Sequence, residues 1–358
     1  MKDLHRYAHI NARVRVMLGS LLTPDMWQKL YSAYSIESLM NQLAETRYEP
    51  WVHDTPPEEF INAIDTHIVE TSLSAEKHIH KLLIGLPADI IATFTELYDI
   101  EHIKRGLRAW HGKYSFNPPA LTQYSQRYPI DWSIFTKSGT TLEDIIVQMM
   151  GIPYGKALAN ARDRFNKSKT LFYLETALEK DLFTRICEQI GQLSGTDRKG
   201  VQQLLGVYVD SLNIKNIIRS KLYFNIPPNT IDTALYPGGA QFKQDQCFDL
   251  YVSKDNRDLL QKLAVRPFDS IGRFIQKGSL DEAAVLLDAL LQQALYRQIR
   301  KILGGYPFTL AVVLSYITLN RWELNSLRSL VWLLYLNKKE RIDELKSANP
   351  MAVIKEQA

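Results

Sequence analysis

Lys215 and Arg219 stand four apart in "YVDSLNIKNIIRSK" (208–221), and Lys104 and Arg108 stand four apart in "YDIEHIKRGLR" (98–108). Two cations at that spacing project together from a helix and repel mildly, so each pair calls for an anion. Three chemistries fit. The pair could hold carboxylates or carbonyls of a neighbouring part of the chain, meet an acidic partner protein, or bind phosphate. Asp99 and Asp210 precede the pairs and point well away from the cations on a continuous helix. They suit a bond near the helix start or to another segment. Ile214, Ile217, Ile218, Leu222, Leu212 and Val209 surround most of the second helix, which reads as buried. A buried cation needs a partner or a route to water.

Other candidate chemistry is weak. "GIPYGKA" (151–157) resembles a phosphate loop but is one residue short between its glycines, with Ala157 where a magnesium-holding hydroxyl belongs. His78 and His80 are two apart and face different sides of a helix, so they do not make a metal site. No HExxH, GxSxG or DDxxD-like cluster occurs. No catalytic residue, metal or cofactor is expected. Trp110, Trp322 and Trp332 sit in apolar helices and read as core.

The elements that carry these residues are helical nearly throughout. "LLTPDMWQKLYSA" begins with Thr23 as a cap and Pro24 at the first helical position. "SIESLMNQLAET" begins at Ser35, with Ser38 in place of the ideal glutamate, and carries Ile36, Leu39, Met40 and Leu43 along one stripe. "SLDEAAVLLDALLQQALYRQIRKIL" is a long helix with few breakers. Period-2 runs are scarce, and the reading is all-α.

The motif repeats at a fixed distance. Asp99 and Asp210, Lys104 and Lys215, and Arg108 and Arg219 are each 111 apart. Each helix is followed by a Pro-Pro loop (Pro118, Pro227) and then a Tyr-Pro turn, at Tyr128-Pro129 and Tyr236-Pro237. Upstream anchors recur too. Tyr48 lies 60 residues before Arg108, Tyr154 lies 65 before Arg219, and Phe268 lies 60 before Arg328. At Arg328 the sequence "WELNSLRSL" is a degraded third copy, with Leu324 in place of lysine and Leu319 in place of aspartate. Three units of roughly 110 residues follow, longer than most solenoid repeats and able to hold some core of their own. Their expected bounds are 1–125, 126–243 and 244–358.

Composition excludes several classes. The 358 residues are 46% hydrophobic and 23% charged, ordinary for a globular chain and too many for one typical core. With 43 basic and 39 acidic residues the net charge is only +4, and no arginine-rich run marks a nucleic-acid binder. "NKKER" (337–341) reads as a solvated helix end. Two lone cysteines, Cys187 and Cys247, suggest a reducing compartment, not a disulfide scaffold or zinc site. "NKS" at 166–168 is a formal glycosylation site with nothing to suggest secretion. The start lacks an uninterrupted apolar stretch, so a secretory signal is not expected. The longest apolar run, "FTLAVVLSYITL" (308–319), is too short to span a bilayer. A soluble or membrane-peripheral protein is expected.

The opening, "YAHINARVRVMLGSLLTPDMWQKLYSAYSIESLMNQLAETRY", resembles the start of the C subunit of V-type/A-type rotary ATPases, called the d subunit in eukaryotes (AC39-like). That family's D-x-x-N-I-K-x-x-x-R helix is matched by Asp210, Asn213, Ile214, Lys215 and Arg219. Its L-x-P-G-G loop is matched by Leu235, Pro237, Gly238 and Gly239. Its third copy, E-x-x-N-L-R, keeps Glu323, Leu327 and Arg328 here, with Asn325 one place early; His102 stands where Asn213 does in the second copy. The resemblance covers essentially the whole chain. It implies three similar helical domains around a pseudo-threefold axis in a funnel. It also implies a non-catalytic, peripheral role on the cytoplasmic face of the membrane, one copy per complex. The funnel would sit on the proteolipid ring, receive the central shaft made of the D and F subunits, and couple ion translocation to ATP hydrolysis or synthesis. No nucleic acid or small-molecule ligand is expected. Asp99, Lys104, Arg108, Asp210, Lys215, Arg219 and Arg328 are the candidate partner-binding or inter-repeat residues. The competing readings are a helical-repeat scaffold or adaptor unrelated to ATPases, and an all-α enzyme, which the missing motifs disfavour.

Overall fold

In a computed structural model of the chain, residues 2–115, 128–221, 226–274 and 280–352 are described. Pro118 of the first Pro-Pro loop and Leu222 of the second motif helix lie outside them. The described residues are helical, with no strand among them. In chain order the helices are α1 (Lys2–Gly19), α2 (Pro24–Tyr31), α3 (Ile36–Leu43), α4 (Glu49–Val52), α5 (Pro57–Lys81), α6 (Leu86–Thr95), α7 (Leu97–Gly112) and α8 (Leu142–Met149). They continue as α9 (Pro153–Ser168), α10 (Phe172–Gln192), α11 (Gly195–Arg219), α12 (Gln244–Tyr251), α13 (Asn256–Leu263), α14 (Leu280–Leu303), α15 (Leu310–Tyr335) and α16 (Ile342–Ala348).

Local chemistry sets the helix ends. Thr23 Oγ1 accepts the Met26 N–H at 3.3 Å, with Pro24 in the first turn. Ser35 Oγ accepts the Ser38 N–H at 3.1 Å. Thr141 and Asp144 close a reciprocal capping box on α8, at 3.2 and 2.8 Å. Lysine and asparagine residues follow three helix ends in the left-handed region, Lys113 at φ 55°, Lys169 at 57° and Asn337 at 54°.

The chain divides into two compact units, one of residues 1–83 with 263–358, the other of residues 84–262. In the first, α15 is the central element. Every residue from Leu310 to Asn320 is buried, because α15 packs on α5, α1, α14, α16 and α3. The longest apolar run of the sequence is thus a core helix. In the second, α10 is central and packs on α9, α6, α7 and α11. Its face of Leu174, Leu178, Leu182, Phe183, Ile186 and Ile190 is buried.

The tryptophans differ from expectation. Trp110 and Trp322 are half-buried and Trp332 is 37% exposed. Trp332 sits in the last turns of α15 but off the face of Leu327, Leu330 and Leu334, which stay buried there. The fully buried tryptophan is Trp27, stacked on Tyr31 at 5.4 Å.

Candidate functional site

The three motif helices are α7, α11 and α15, and each handles its charges differently. On α7, Lys104 is only 8% exposed. Its Nζ lies 2.8 Å from Glu179 Oε1 and 2.9 Å from Glu101 Oε1. Burial alone would lower the Lys104 pKa, but the two carboxylates outweigh it and hold the ammonium above its ordinary value. Arg108 donates from Nε and Nη2 to both oxygens of Glu175, at 2.7 and 2.8 Å. This is the planar fork geometry that favours arginine over lysine.

Glu175 and Glu179 are themselves one turn apart on α10. The pairs Arg108–Glu175 and Lys104–Glu179 therefore run antiparallel, like rungs. Two more rungs lie further along the same two segments. Arg185 reaches buried Glu96 at 2.7 Å, and Gln189 donates to Thr93 Oγ1 at 3.0 Å. The Tyr236 hydroxyl also bonds Glu179. Asp99, 1% exposed, accepts the Tyr154 hydroxyl at 3.0 Å.

On α11 the acid has another task. Asp210 is fully buried and accepts the backbone N–H groups of Ala240 at 3.1 Å, Gln241 at 2.7 Å and Phe242 at 3.1 Å. Burial pushes its pKa up to about 6, with these three N–H groups pulling the other way. Asn213 fixes the start of the same loop, donating to Tyr236 O at 2.9 Å and accepting the Tyr236 N–H at 2.8 Å. The two glycines belong to this clamp. A Cβ on Gly239 would lie 2.3 Å from Asp210 Oδ1, and Gly238 takes φ 95° with the Cys187 sulfur beside it. The cations of α11 are less covered than the sequence pattern suggests. Lys215 is half-buried. Arg219 is exposed and makes no ion pair among the described residues.

On α15, Leu319 and Leu324 occupy the aspartate and lysine positions and are buried. Arg328 Nε pairs with Asp65 Oδ1 of α5 at 2.8 Å. One further arginine, Arg321, grips Glu76 of α5 with Nε and Nη2, both at 2.8 Å. The acid of this helix is Glu323, fully buried. It accepts the Leu22 N–H, the Tyr48 hydroxyl and Arg47 Nη2, each at 2.6 Å. Burial raises the Glu323 pKa, and the Arg47 guanidinium is the largest opposing influence. Arg47 also donates to Asn320 Oδ1 at 2.8 Å.

The tyrosine anchors gain a role. Tyr48 donates to Glu323 of α15, and Tyr154 donates to Asp99 of α7. Phe268, at the third anchor position, is buried and has no hydroxyl to give. Sequence reasoning missed Glu175 and Glu179, Glu76 and Arg321, and Arg47. The four-residue spacing of Glu175 and Glu179 mirrors that of Lys104 and Arg108 and was the available signal. Among the described residues no group of side chains is placed to hold a metal, and no helix is long and apolar enough to cross a membrane.

A profile of the ATP synthase (C/AC39) subunit family matches residues 10–345. Among curated proteins, the C subunit of the A-type ATP synthase of Methanosphaera stadtmanae is 24% identical, over 92% of this chain and 84% of its own length. The proteins of the same name from Pyrococcus horikoshii and Archaeoglobus fulgidus are each 23% identical, covering 95% and 91% of this chain and 90% and 91% of their own. With its motif helices tied to neighbours by buried acids and ion pairs, and with most of its length matched, the chain belongs to the ATP synthase (C/AC39) subunit family.

Proposed function

We propose that this chain is the non-catalytic coupling subunit of a V/A-type rotary ATPase. It forms a socket on the cytoplasmic side of the proteolipid ring, receives the central shaft made of the D and F subunits, and passes rotation between ring and catalytic head. One copy serves each complex. The observation that carries this reading is the family match across residues 10–345.

The geometry adds physical support. A coupling part must not deform under torque, and close-packed helices cross-linked by buried charge pairs deform little. Three repeats, bounded at 1–125, 126–243 and 244–358, would explain why one motif appears on α7, α11 and α15. Lys104, Arg108 and Arg328 then join neighbouring repeats, and so does Asp99 through Tyr154. Asp210 secures the loop of its own repeat. Arg219, exposed and without an ion pair among the described residues, faces a partner.

The test is purification of a tagged copy from native membranes in mild detergent, with mass spectrometry of what accompanies it. Catalytic A and B subunits together with a proteolipid are the expected result. A monomer, or a partner set lacking a proteolipid, refutes the assignment and leaves a helical scaffold.

A further inference from the structure

Within the unit of residues 84–262, the end of α7 and the loop after Phe135 enclose a cavity of about 720 Å³. Trp110 stitches the two segments together, its Nε1 donating to Thr140 O at 2.8 Å. Gly112 lacks the Cβ that would meet the Tyr114 ring at 2.6 Å, so that ring folds back over the helix end. Gly139 turns the loop at φ 78°. The lining carries charge of one sign. His111, Lys113 and Lys137 belong to it, and no carboxylate does. Neither lysine side chain makes an ion pair or hydrogen bond among the described residues. Asp144, a carboxylate that feels Lys137, lies outside the lining and is held by the Thr141 N–H at 2.8 Å and hydroxyl at 2.7 Å. The hydroxyls of Ser115, Ser138 and Thr140 line the cavity and make no hydrogen bond among the described residues. Nearby carbonyls are already in use. Ala109 O accepts the Tyr114 N–H at 3.2 Å, and Lys137 O accepts the Thr140 N–H at 3.3 Å. Donors remain where acceptors are spent.

We propose that this cavity binds a phosphate group carried by a larger molecule. Lys113 and Lys137 come from different segments and both line it, so an anion lodged there meets both charges. The free hydroxyls donate to the oxygens that the ammonium groups leave unsatisfied. A phosphate has enough acceptor oxygens for all of these donors, whereas a carboxylate has two and leaves hydroxyls unanswered. The volume falls in the range of small-molecule sites, roughly 300–1,000 Å³, and exceeds what inorganic phosphate fills. Rings of Trp110, Tyr114 and Phe135 wall the remainder. Two sources supply this chemistry, a soluble nucleotide whose base stacks on the rings and an anionic phospholipid headgroup. The site departs from the expectation of no small-molecule ligand. It does not depend on the coupling role proposed above.

Lysine footprinting of the purified full chain tests the site. Acetylation rates at Lys113 and Lys137 are read by mass spectrometry in the presence of ADP, adenosine or phosphatidylglycerol vesicles, at matched ionic strength. Exposed Lys254 serves as the internal reference. With a Kd near 1 mM, about 10 mM ADP or accessible lipid should slow both lysines about tenfold and leave Lys254 unchanged. Protection by ADP and not by vesicles assigns the site to a soluble phosphate ester; the reverse assigns it to a lipid headgroup. Adenosine, lacking the phosphates, should protect neither lysine. Lys137→Glu should abolish protection of Lys113 with an unchanged circular dichroism spectrum, because Lys137 is exposed. If that variant alters the spectrum, Lys137→Ala is read in the same way. Failure of both ADP and vesicles to protect overturns the proposal. So does equal protection by adenosine, equal slowing of Lys254, or full protection of Lys113 once Lys137 is replaced.

Discussion

Removing Arg47 should expose how much the third motif helix depends on a buried charge pair. In Arg47→Ala, Glu323 keeps the Tyr48 hydroxyl and the Leu22 N–H but loses its cation at 2.6 Å. The Glu323 side chain is 0% exposed and that of Arg47 20%, so water does little to replace the guanidinium. Breaking a buried pair on one side costs about 3–5 kcal/mol; the partial exposure of Arg47 and the two surviving bonds place this case near 3. For a cooperative unit of roughly 180 residues that is a fall in Tm of about 6–12 °C.

The pH dependence makes the prediction specific. In the folded protein burial already holds Glu323 above its ordinary value of 4.5, and Arg47 is the main influence opposing that rise. Without Arg47 the folded pKa climbs further, while the unfolded value stays put. Native protein then binds a proton that unfolded protein releases, so stability falls as pH rises from the ordinary value through the folded one. The deficit of Arg47→Ala should therefore be largest at pH 7.5 and shrink toward pH 5. Thermal unfolding followed by circular dichroism at both pH values measures this. In the background Glu323→Gln, Arg47→Ala should cost at least 1 kcal/mol less. A variant within about 0.5 kcal/mol of the parent at pH 7.5, or an equal deficit at both pH values, refutes the reasoning.

Four further substitutions probe the unit that holds the other two motif helices. Gly239→Ala should cost more than about 2 kcal/mol in urea unfolding, because its Cβ meets Asp210 Oδ1 at 2.3 Å and Phe242 O at 2.4 Å. Gly191→Ala, with open space around it near the end of α10, should be neutral or gain up to about 1 kcal/mol. Tyr154→Phe leaves Asp99 buried without its 3.0 Å donor and should cost about 1–3 kcal/mol by the same assay, with little change in helix content. Asp210 should give a pH signature. Its pKa rises from 3.8 to about 6 on folding, so its protonation should favour the native state, and the loss between pH 4 and pH 6.5 should be about 2 kcal/mol. Asp210→Asn should flatten that part of the profile, and an unchanged profile counts against the buried carboxylate as its source.

Helix class and helix starts were legible in the sequence because caps and periodicity are local. Thr23, Pro24 and Ser35 act within one turn, and the structure places them so. The recurrence of the motif was legible because it is written in residue types. What each copy does was not, because a helical wheel gives direction around one axis and says nothing of the neighbour. Lys104 and Lys215 look equivalent on a wheel, yet one lies under α10 and the other at a half-covered face. Glu323 was matched as part of a degraded copy. Its replacement of the missing aspartate as the buried acid depends on Arg47 and Tyr48, about 275 residues away. The Asp210 clamp was not read from the sequence, although Gly238 and Gly239 were the available signal of a close approach of backbone.

The rungs between the α6–α7 segment and α10 also carry sign in a particular order. One side offers Glu96, Lys104 and Arg108; the other answers with Arg185, Glu179 and Glu175. Because both signs occur on both sides, the arrangement acts as an address and not only as an adhesive. A slip of one turn that brought Lys104 to Glu175 would set Arg108 opposite Leu171 and Glu96 opposite Asp181. Two acids would then face each other where one of them is now buried against an arginine. Mismatched registers are thus penalised at several places at once, and the two segments can be loaded along their length without an intermediate stop at which they could rest.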